Sequence, residues 1–340
     1  GDRRKIRGLT HDHNGAFRLK IAIAGAGMTG AYLYRLLDRK RHTIDIFDRD
    51  TGTRCGIKPC AWGTSRGFTE LVKASGLDPS NYILKETDYV IIDGLKMMAD
   101  LMTFDKRRLI RDLLEGAEIS YAQPDTTRYD RIIDATGVAR AFLPPVRGDV
   151  ILRCAQYRIE TDTLIENRIQ LGRIGYGWSF PLSSNEHHIG CGSLISDPLR
   201  IMDEIGWVGD ERRNIRCACT SAIRLTSPQY SQPFVAIHKT SEVWGVGEAV
   251  GCVAPLAGDG IVPGMRSAQI LLEWWDDPAG YTRAILKEFK WMENERRVID
   301  KLGRNENLTL CDAWVLKKNS RRMGMQVGLK EAASLLRHLR

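Results

Sequence analysis

The sequence predicts an α/β protein (α+β overall) with a parallel-sheet domain, an antiparallel sheet inserted into it, and a helical C-terminal region. Three observations lead to this prediction. Residues 19–48 follow the order strand, glycine turn, helix, strand, which is typical of a parallel βαβ unit. Short β-rich runs alternate with turn residues from 150 to 237, as in an antiparallel sheet. From Ile261 the pattern is helical.

The first unit contains a glycine motif. The apolar run Leu19 to Ala24 predicts a buried strand, and G-x-G-x-x-G follows it at the start of a helix. In this motif the first glycine allows a tight turn, the second lets the backbone approach a pyrophosphate, and the third lets the helix pack closely. Free N–H groups and the helix dipole then face the phosphates. The motif predicts a phosphate-binding turn at Gly25, Gly27, Met28, Thr29 and Gly30.

An acid follows the second strand. That strand, His42 to Phe47, ends at Asp48, with Arg49 next. An acid at this distance from the glycine turn binds the ribose hydroxyls of an adenosine. Strand, helix and acid together predict a Rossmann-like domain that binds a dinucleotide.

The elements after Asp48 are predicted from local signals. Asp93-Gly94 is a hairpin turn between two β-rich runs, and Asp105 is placed to cap a helix that ends at Leu114. Asp277-Pro278 is a helix start. We expect a helix at Phe68 to Ala74 and strands at Tyr82 to Ile92, Leu95 to Phe104, Ala117 to Ala122, Arg131 to Ala135, Ile151 to Ile159, Thr163 to Leu171, His187 to Leu194, Ile215 to Cys219 and Glu242 to Val246.

These elements predict a division into domains. Residues 1–18 are expected to be a flexible tail. The dinucleotide-binding domain takes 19–87, 105–149 and 240–276, the inserted substrate domain takes 88–104 and 150–239, and the helical region takes 277–340.

Composition argues against several classes of protein: membrane-spanning, secreted, disulfide-rich, zinc-binding and nucleic-acid-binding. The 340 residues are 43% hydrophobic and carry a net charge of +8, with no uninterrupted apolar run of membrane-spanning length. The basic N-terminal residues lack the apolar stretch of a secretory signal. The eight cysteines have neither disulfide-framework nor zinc spacing, which favours free thiols in a cytoplasm. Basic residues are not interleaved with aromatic ones on one element, so no nucleic-acid partner is expected.

A second glycine-rich region points to a flavin. Gly245-Val-Gly247-Glu248-Ala249 ends a strand, and Pro255-Leu-Ala-Gly258-Asp259-Gly260-Ile261 opens a helix. This pair resembles G-D-A…P…G-x-G-I of FAD proteins with the para-hydroxybenzoate hydroxylase fold, and Asp134-Ala-Thr-Gly137 resembles their D-A-x-G. The resemblance implies FAD as cofactor, with its ribityl chain at Glu248, where the family has Asp. It implies cofactor contacts at Asp134, Gly137, Gly247, Glu248, Pro255, Gly258, Asp259, Gly260 and Ile261.

One segment indicates a particular family among the FAD proteins of this fold. Tyr176-Gly-Trp178-Ser-Phe180-Pro181, followed by Gly190 and Gly192, is similar to Y-x-W-x-F-P…G-x-G of the geranylgeranyl reductases. Lys58-Pro59-Cys60 resembles the K-P-C that carries a cysteine near the flavin in some archaeal members. This likeness covers most of residues 19–275. It implies that Lys58 and Cys60 lie at the flavin and that Cys60 is catalytic. Ala61-Trp62 and the short C-terminal side depart from the family.

The aromatic segment also has a physical interpretation of its own. Alternate residues of a strand face one side, so Tyr176, Trp178 and Phe180 form one broad apolar wall. Such a wall suits an isoprenoid chain, and plain core packing is the alternative. Pro181 ends regular pairing, which suits a sheet edge or end, and the absent side chains of two nearby glycines let a ligand approach. The predicted substrate-binding residues are Tyr176, Trp178, Phe180, Pro181, Gly190 and Gly192.

The sequence therefore predicts an FAD-dependent reductase that saturates C=C bonds of geranylgeranyl-type isoprenoid chains, with Cys60 or a water as acid. No second G-x-G-x-x-G occurs in the sequence, so electrons come from NAD(P)H or a ferredoxin-like carrier. The alternatives are an FAD-dependent monooxygenase or cyclase of the same fold, or a non-catalytic prenyl-binding escort. The basic residues of the last 24 positions, with Trp274-Trp275, suit an anionic membrane surface, although a solvated helix face also explains them.

Overall fold

A computed structural model describes residues 10–11, 17–37, 41–49, 60–65, 67–162, 166–172, 175–209 and 214–338. The described residues form two large sheets with helices around them, which confirms the predicted fold class. In the predicted tail 1–18, two short strands pair, β1 (Thr10–His11) and β2 (Phe17–Arg18), and the other residues up to 16 lie outside the described ranges.

Within the described ranges, six strands form the first sheet, in the order β15-β16-β9-β3-β4-β8. Its neighbours are parallel except β15 and β16. Near-continuous apolar strands such as Ile21–Ala24 are buried because helices cover the sheet. The strands are β3 (Lys20–Ala24), β4 (Thr43–Phe47), β8 (Ile119–Ser120), β9 (Arg131–Asp134), β15 (Val235–His238) and β16 (Ser241–Gly245).

The second sheet has eight strands among the described residues, in the order β14-β10-β13-β12-β11-β6-β7-β5. All neighbours are antiparallel except β11 and β6. The strands are β5 (Gly63–Ser65), β6 (Ile83–Ile92), β7 (Leu95–Phe104), β10 (Ile151–Glu160), β11 (Arg168–Gly172), β12 (Gly175–Pro181), β13 (Glu186–Ser193) and β14 (Ile215–Arg224).

Several strands of this sheet differ from the sequence prediction. A loop was predicted where β5 lies, and β11 begins at Arg168, after a predicted start at Thr163 that lies outside the described residues. The predicted domain boundary at 87/88 falls inside β6, whose first half is too polar to mark it as part of the sheet. The strand β14 continues to Arg224, five residues past the predicted end, because β10 pairs with it along this length. The division into domains itself remains a prediction.

Local signals placed the turns and helix starts correctly. Asp93 and Gly94 both have positive φ, 48° and 81°, as a two-residue hairpin turn requires. The Asp105 carboxylate accepts the Arg108 N–H at the start of α3, and Asp277 accepts the Gly280 N–H at the start of α6. The helices beside the sheets are α1 (Met28–Leu36), α2 (Phe68–Ala74), α3 (Lys106–Leu113), α4 (Pro198–Ile205) and α5 (Ile261–Glu273).

The C-terminal helices build a second apolar core. They are α6 (Pro278–Glu288), α7 (Lys290–Gly303), α8 (Leu310–Ser320) and α9 (Leu329–His338). Val298 and Leu335 pack in this core with Val90, Ile92 and Met97 of the eight-stranded sheet. No helix in the described part of the chain has the length and apolarity to cross a bilayer.

Candidate functional site

A cavity of about 1060 Å³ is lined by both sheets and by the C-terminal helices. Its wall includes the glycine turn after β3, the loop 255–261 before α5, and apolar side chains of α7, α8 and α9. This volume lies at the upper end of the range for small-molecule and cofactor sites. The cavity therefore joins a region of backbone and loop residues, at the glycine turn, to an apolar region between the C-terminal helices.

The glycine turn leaves space at its second glycine. A Cβ on Gly25 would lie 2.3 Å from the Ala135 carbonyl oxygen, and a Cβ on Gly30 would lie 1.9 Å from that of Gly25. A Cβ on Gly27 would have no described heavy atom within 4 Å. The turn itself thus requires the first and third glycines, while the second faces open space in the cavity wall.

The start of α1 offers backbone donors to this space. Gly27, Met28 and Thr29 line the cavity, and no described side chain caps the helix. Helix N–H groups without a capping side chain, together with the helix dipole, favour a bound anion. These observations fit the pyrophosphate of a dinucleotide.

Asp48 and Arg49 line the cavity where β4 ends. The Asp48 carboxylate accepts the Arg49 N–H at 2.8 Å, and the Asp48 N–H donates to the Ser120 carbonyl at 3.0 Å. The acid is therefore held at the cavity wall, at the place where the motif predicts a ribose contact.

Asp134 is not in the cavity wall, contrary to the sequence prediction. Its side chain is 0% exposed and accepts from the Thr136 hydroxyl at 2.6 Å and from the N–H groups of Phe142 and Leu143 at 2.9 and 3.0 Å. The carboxylate thus organises the loop after β9. Gly137, with φ of 65°, does line the cavity.

The end of β16 closes tightly on α1. A Cβ on Gly247 would lie 2.7 Å from the Thr29 hydroxyl oxygen. Gly247 itself does not line the cavity, whereas Glu248 does. One oxygen of Glu248 accepts the Arg224 N–H at 2.8 Å and so links this region to β14.

The loop before α5 supplies several predicted residues to the wall. Asp259 accepts the Ile261 N–H at 2.9 Å, and burial raises the pKa of Asp259 to about 6. The Tyr176 hydroxyl donates to the Ala257 carbonyl at 2.6 Å, so the aromatic strand holds this loop. The predicted residues of the loop that line the cavity are Pro255, Gly258, Asp259, Gly260 and Ile261.

The aromatic side chains of β12 line the cavity on one face. Tyr176, Trp178 and Phe180 all contribute, and the first two ring centroids are 5.8 Å apart. Pro181 also lines the cavity and ends β12. However, β12 lies between β13 and β11, so the aromatic wall runs along an interior strand and not at a sheet edge.

Gly190 and Gly192 do not provide space for a ligand, contrary to the prediction. They pair with Trp178 and Tyr176 across β12 and β13, but they do not line the cavity. A Cβ on Gly190 would lie 2.3 Å from the Trp178 indole, and a Cβ on Gly192 would lie 2.7 Å from the Leu152 side chain. These glycines make room for protein side chains.

Cys60 lines the cavity near the aromatic wall. The Gln156 amide donates to the Cys60 carbonyl at 3.0 Å and accepts the Trp178 indole N–H at 3.3 Å. The side chain of His188 is buried, and this burial lowers its pKa to about 3, so the imidazole is neutral. Its Nδ1 lies 3.1 Å from the Ala61 carbonyl oxygen. Lys58 lies outside the described residues.

Two buried charged residues in the wall were not predicted as site residues. Lys106, at the start of α3, is only 7% exposed. Glu295 of α7 is 3% exposed, and burial raises its pKa to about 7. A lysine early in a helix and a glutamate in a charged helix carry no distinctive sequence signal.

The apolar part of the cavity extends beyond the predicted substrate domain. Its lining comes from the helical C-terminal region and the loop between α8 and α9: Ile299, Leu302, Leu316, Met323, Met325, Val327 and Leu335. The described residues include no cluster of three or more metal-ligating side chains. The cavity therefore combines a helix start without a capping side chain, at α1, with an apolar arm lined by the C-terminal helices.

Comparisons with known proteins agree on the fold. No family model matches the chain. An uncharacterized protein of Methanocaldococcus jannaschii is 23% identical, with 83% of this chain and 91% of that protein covered. A geranylgeranyl bacteriochlorophyll reductase-like protein from Thermoplasma acidophilum superposes with a TM-score of 0.68 at 15% identity, covering 95% of both chains.

Two further structures are flavin enzymes. A flavin-dependent halogenase from Xanthomonas campestris superposes with a TM-score of 0.62 at 12% identity, over 94% of each chain. PqsL, a probable FAD-dependent monooxygenase from Pseudomonas aeruginosa, has a TM-score of 0.54 at 14% identity, over 84% of this chain and 96% of its own. The chain thus has a fold that FAD-dependent oxidoreductases use.

Proposed function

We propose that this protein is an FAD-dependent reductase that saturates C=C bonds of isoprenoid chains of the geranylgeranyl type. The observation that carries the proposal is one continuous cavity that joins an open phosphate-binding turn to an apolar arm. A long apolar chain that must reach a flavin needs this combination. The structural likeness to a geranylgeranyl reductase-like protein supports it.

The polar end would hold FAD through the chain's own donors. The N–H groups at the start of α1 would bind the pyrophosphate, and buried Lys106 would add a positive charge. Asp48 would accept from the ribose hydroxyls. The start of α5 at Ile261 would face the pyrimidine edge, where its dipole stabilises negative charge. FAD, when reduced, supplies the hydride.

The apolar wall would position the substrate. Tyr176, Trp178 and Phe180 offer ring faces to an alkene, and the arm beyond them excludes water from the rest of the chain. The family resemblance suggests Cys60 of the same wall, or a bound water, as the acid. Because the sequence holds no second dinucleotide motif, NAD(P)H or a ferredoxin-like carrier would reduce the flavin from outside.

The outer face of α8 is suited to an anionic membrane surface. Leu310 and Trp314, 74% and 53% exposed, lie one turn apart, and Lys318 lies next to the Trp314 ring. The other face of α8 reaches the apolar arm through Leu316. Trp275, named from the sequence for this role, instead stacks on Arg131. Docking through α8 would place the substrate's source beside the arm.

A single-turnover measurement of flavin reoxidation by an isoprenoid alcohol tests the proposal. Holoprotein reduced in the absence of oxygen is mixed with geranylgeraniol, and we expect flavin reoxidation with a product that gains two hydrogen atoms. Flavin that stays reduced until oxygen is admitted, with an oxygen atom then found in the product, would favour the monooxygenase alternative. Purified protein that never carries flavin would favour the escort.

A further inference from the structure

Glu295 lies where the apolar arm meets the loop before α5. It lines the cavity together with Ile299 and Leu302 of the same helix face. Its Oε2 accepts the Leu256 N–H at 3.1 Å. Because Leu256 belongs to the loop that forms the flavin part of the proposed site, the carboxyl group is beside both the cofactor region and the substrate arm.

The surroundings favour the neutral carboxylic acid. A buried carboxylate is costly, and here burial raises the pKa of Glu295 to about 7, against hydrogen bonds from Leu256 and Asn319 and the positive charge of Arg322. The next residue on α7, Arg296, is ion-paired with Asp300 at 2.7 Å. At and below neutral pH, the wall therefore contains a protonated acid with an exchangeable proton.

We propose that Glu295 is the proton donor of this cavity. The inference rests on the proposed reductase function. Reduced FAD, when bound, would supply the hydride and both electrons for one alkene carbon. As the π bond breaks, the Glu295 carboxyl group would give its proton to the other carbon, and the carboxylate left behind would regain a proton from water. Glu295 thus replaces Cys60 in the role that the family resemblance assigned to the thiol.

The experiment compares single-turnover rates of flavin reoxidation by geranylgeraniol across pH. A general acid must be protonated, so the wild-type rate should be constant below the pKa of about 7 and fall above it, tenfold per pH unit. Glu295→Gln keeps an oxygen for the Leu256 N–H but has no acidic proton. It should lower the rate by about 10²-fold or more and abolish the fall with pH.

Two control variants distinguish proton donation by Glu295 from a general effect of charge on α7 and from proton donation by Cys60. Glu293→Gln, on the same helix and ion-paired with Arg297, should leave the rate and pH profile unchanged. Cys60→Ser should leave the fall above the pKa in place. A wild-type rate that stays level or rises through neutral pH would overturn the proposal even if Glu295→Gln did not fold. A Glu295→Gln variant with the wild-type rate would also overturn it. So would an infrared titration of the flavin-free wild-type protein that shows no carboxylic-acid C=O band titrating near neutral pH and absent from Glu295→Gln. Wild-type protein inactive with geranylgeraniol at every pH would instead contradict the reductase function itself.

Discussion

Asp48 follows β4 and Asp134 is the last residue of β9. These two strands flank β3, yet the environments of the two acids are different. Asp48 lines the cavity, whereas Asp134 accepts hydrogen bonds from four donors of its own loop. Both residues lie in sequence motifs that are typical of nucleotide-binding sites. Only the path of the chain after β9 determines that one carboxylate faces the cavity and the other stabilises the protein.

This contrast leads to a paired prediction. Asp48→Ala should weaken FAD binding by roughly 1–3 kcal/mol and leave the free energy of unfolding of the apoprotein unchanged. Asp134→Ala should lower that free energy by about 3 kcal/mol, because buried N–H groups lose their acceptor. Flavin titration and urea denaturation measure the two effects. Unaltered FAD affinity in Asp48→Ala would show that Asp48 does not mark the adenosine site.

At the scale of elements, β12 connects the loop 255–261 to the aromatic wall of the cavity. Its Tyr176 holds the loop at Ala257, and its Trp178 reaches Cys60 through Gln156. Period-two alternation was enough to predict that the three rings share one face. It was not enough to predict what the paired glycines of β13 accommodate, since that depends on the rotamer of the indole.

Trp178→Ala should reduce alkene reduction by about 10²-fold while FAD stays bound, because the ring positions substrate and not cofactor. Rates of flavin reoxidation by geranylgeraniol, with flavin absorbance of the purified variant, measure both effects. Phe180→Ala should also slow turnover. If Trp178→Ala loses flavin or unfolds while Phe180→Ala keeps full turnover, the aromatic stripe is core packing.

At the scale of the whole molecule, the cavity depends on elements that are distant in sequence. The sequence predicts the glycine turn, the Asp93-Gly94 hairpin and the helix caps, because each has a local signal. The continuation of the cavity between α7, α8 and α9 has no local signal. This part of the cavity results from how the three helices pack on the eight-stranded sheet. Only the structure, therefore, shows that these helices and Glu295 line the cavity.

The proposed docking face of α8 gives a prediction for the intact protein. Replacing Leu310 and Trp314 by alanine should weaken binding to vesicles of phosphatidylcholine and phosphatidylglycerol by at least about tenfold, because their apolar surface no longer enters the bilayer. Ile237→Ala, an equally exposed apolar residue of β15, is the control. Sedimentation with vesicles measures both. Equal binding of all three proteins would contradict the assignment of this face.

The most direct test of the account is mass spectrometry of the small molecules that heat releases from the purified protein. We expect one FAD per chain, held without a covalent bond, together with an isoprenoid lipid. Gly27→Val should fold but release no FAD, because its side chain would fill the space left for the pyrophosphate. Release of FMN, or of no flavin at all, from the wild-type protein would contradict the central claim that this cavity is an FAD site.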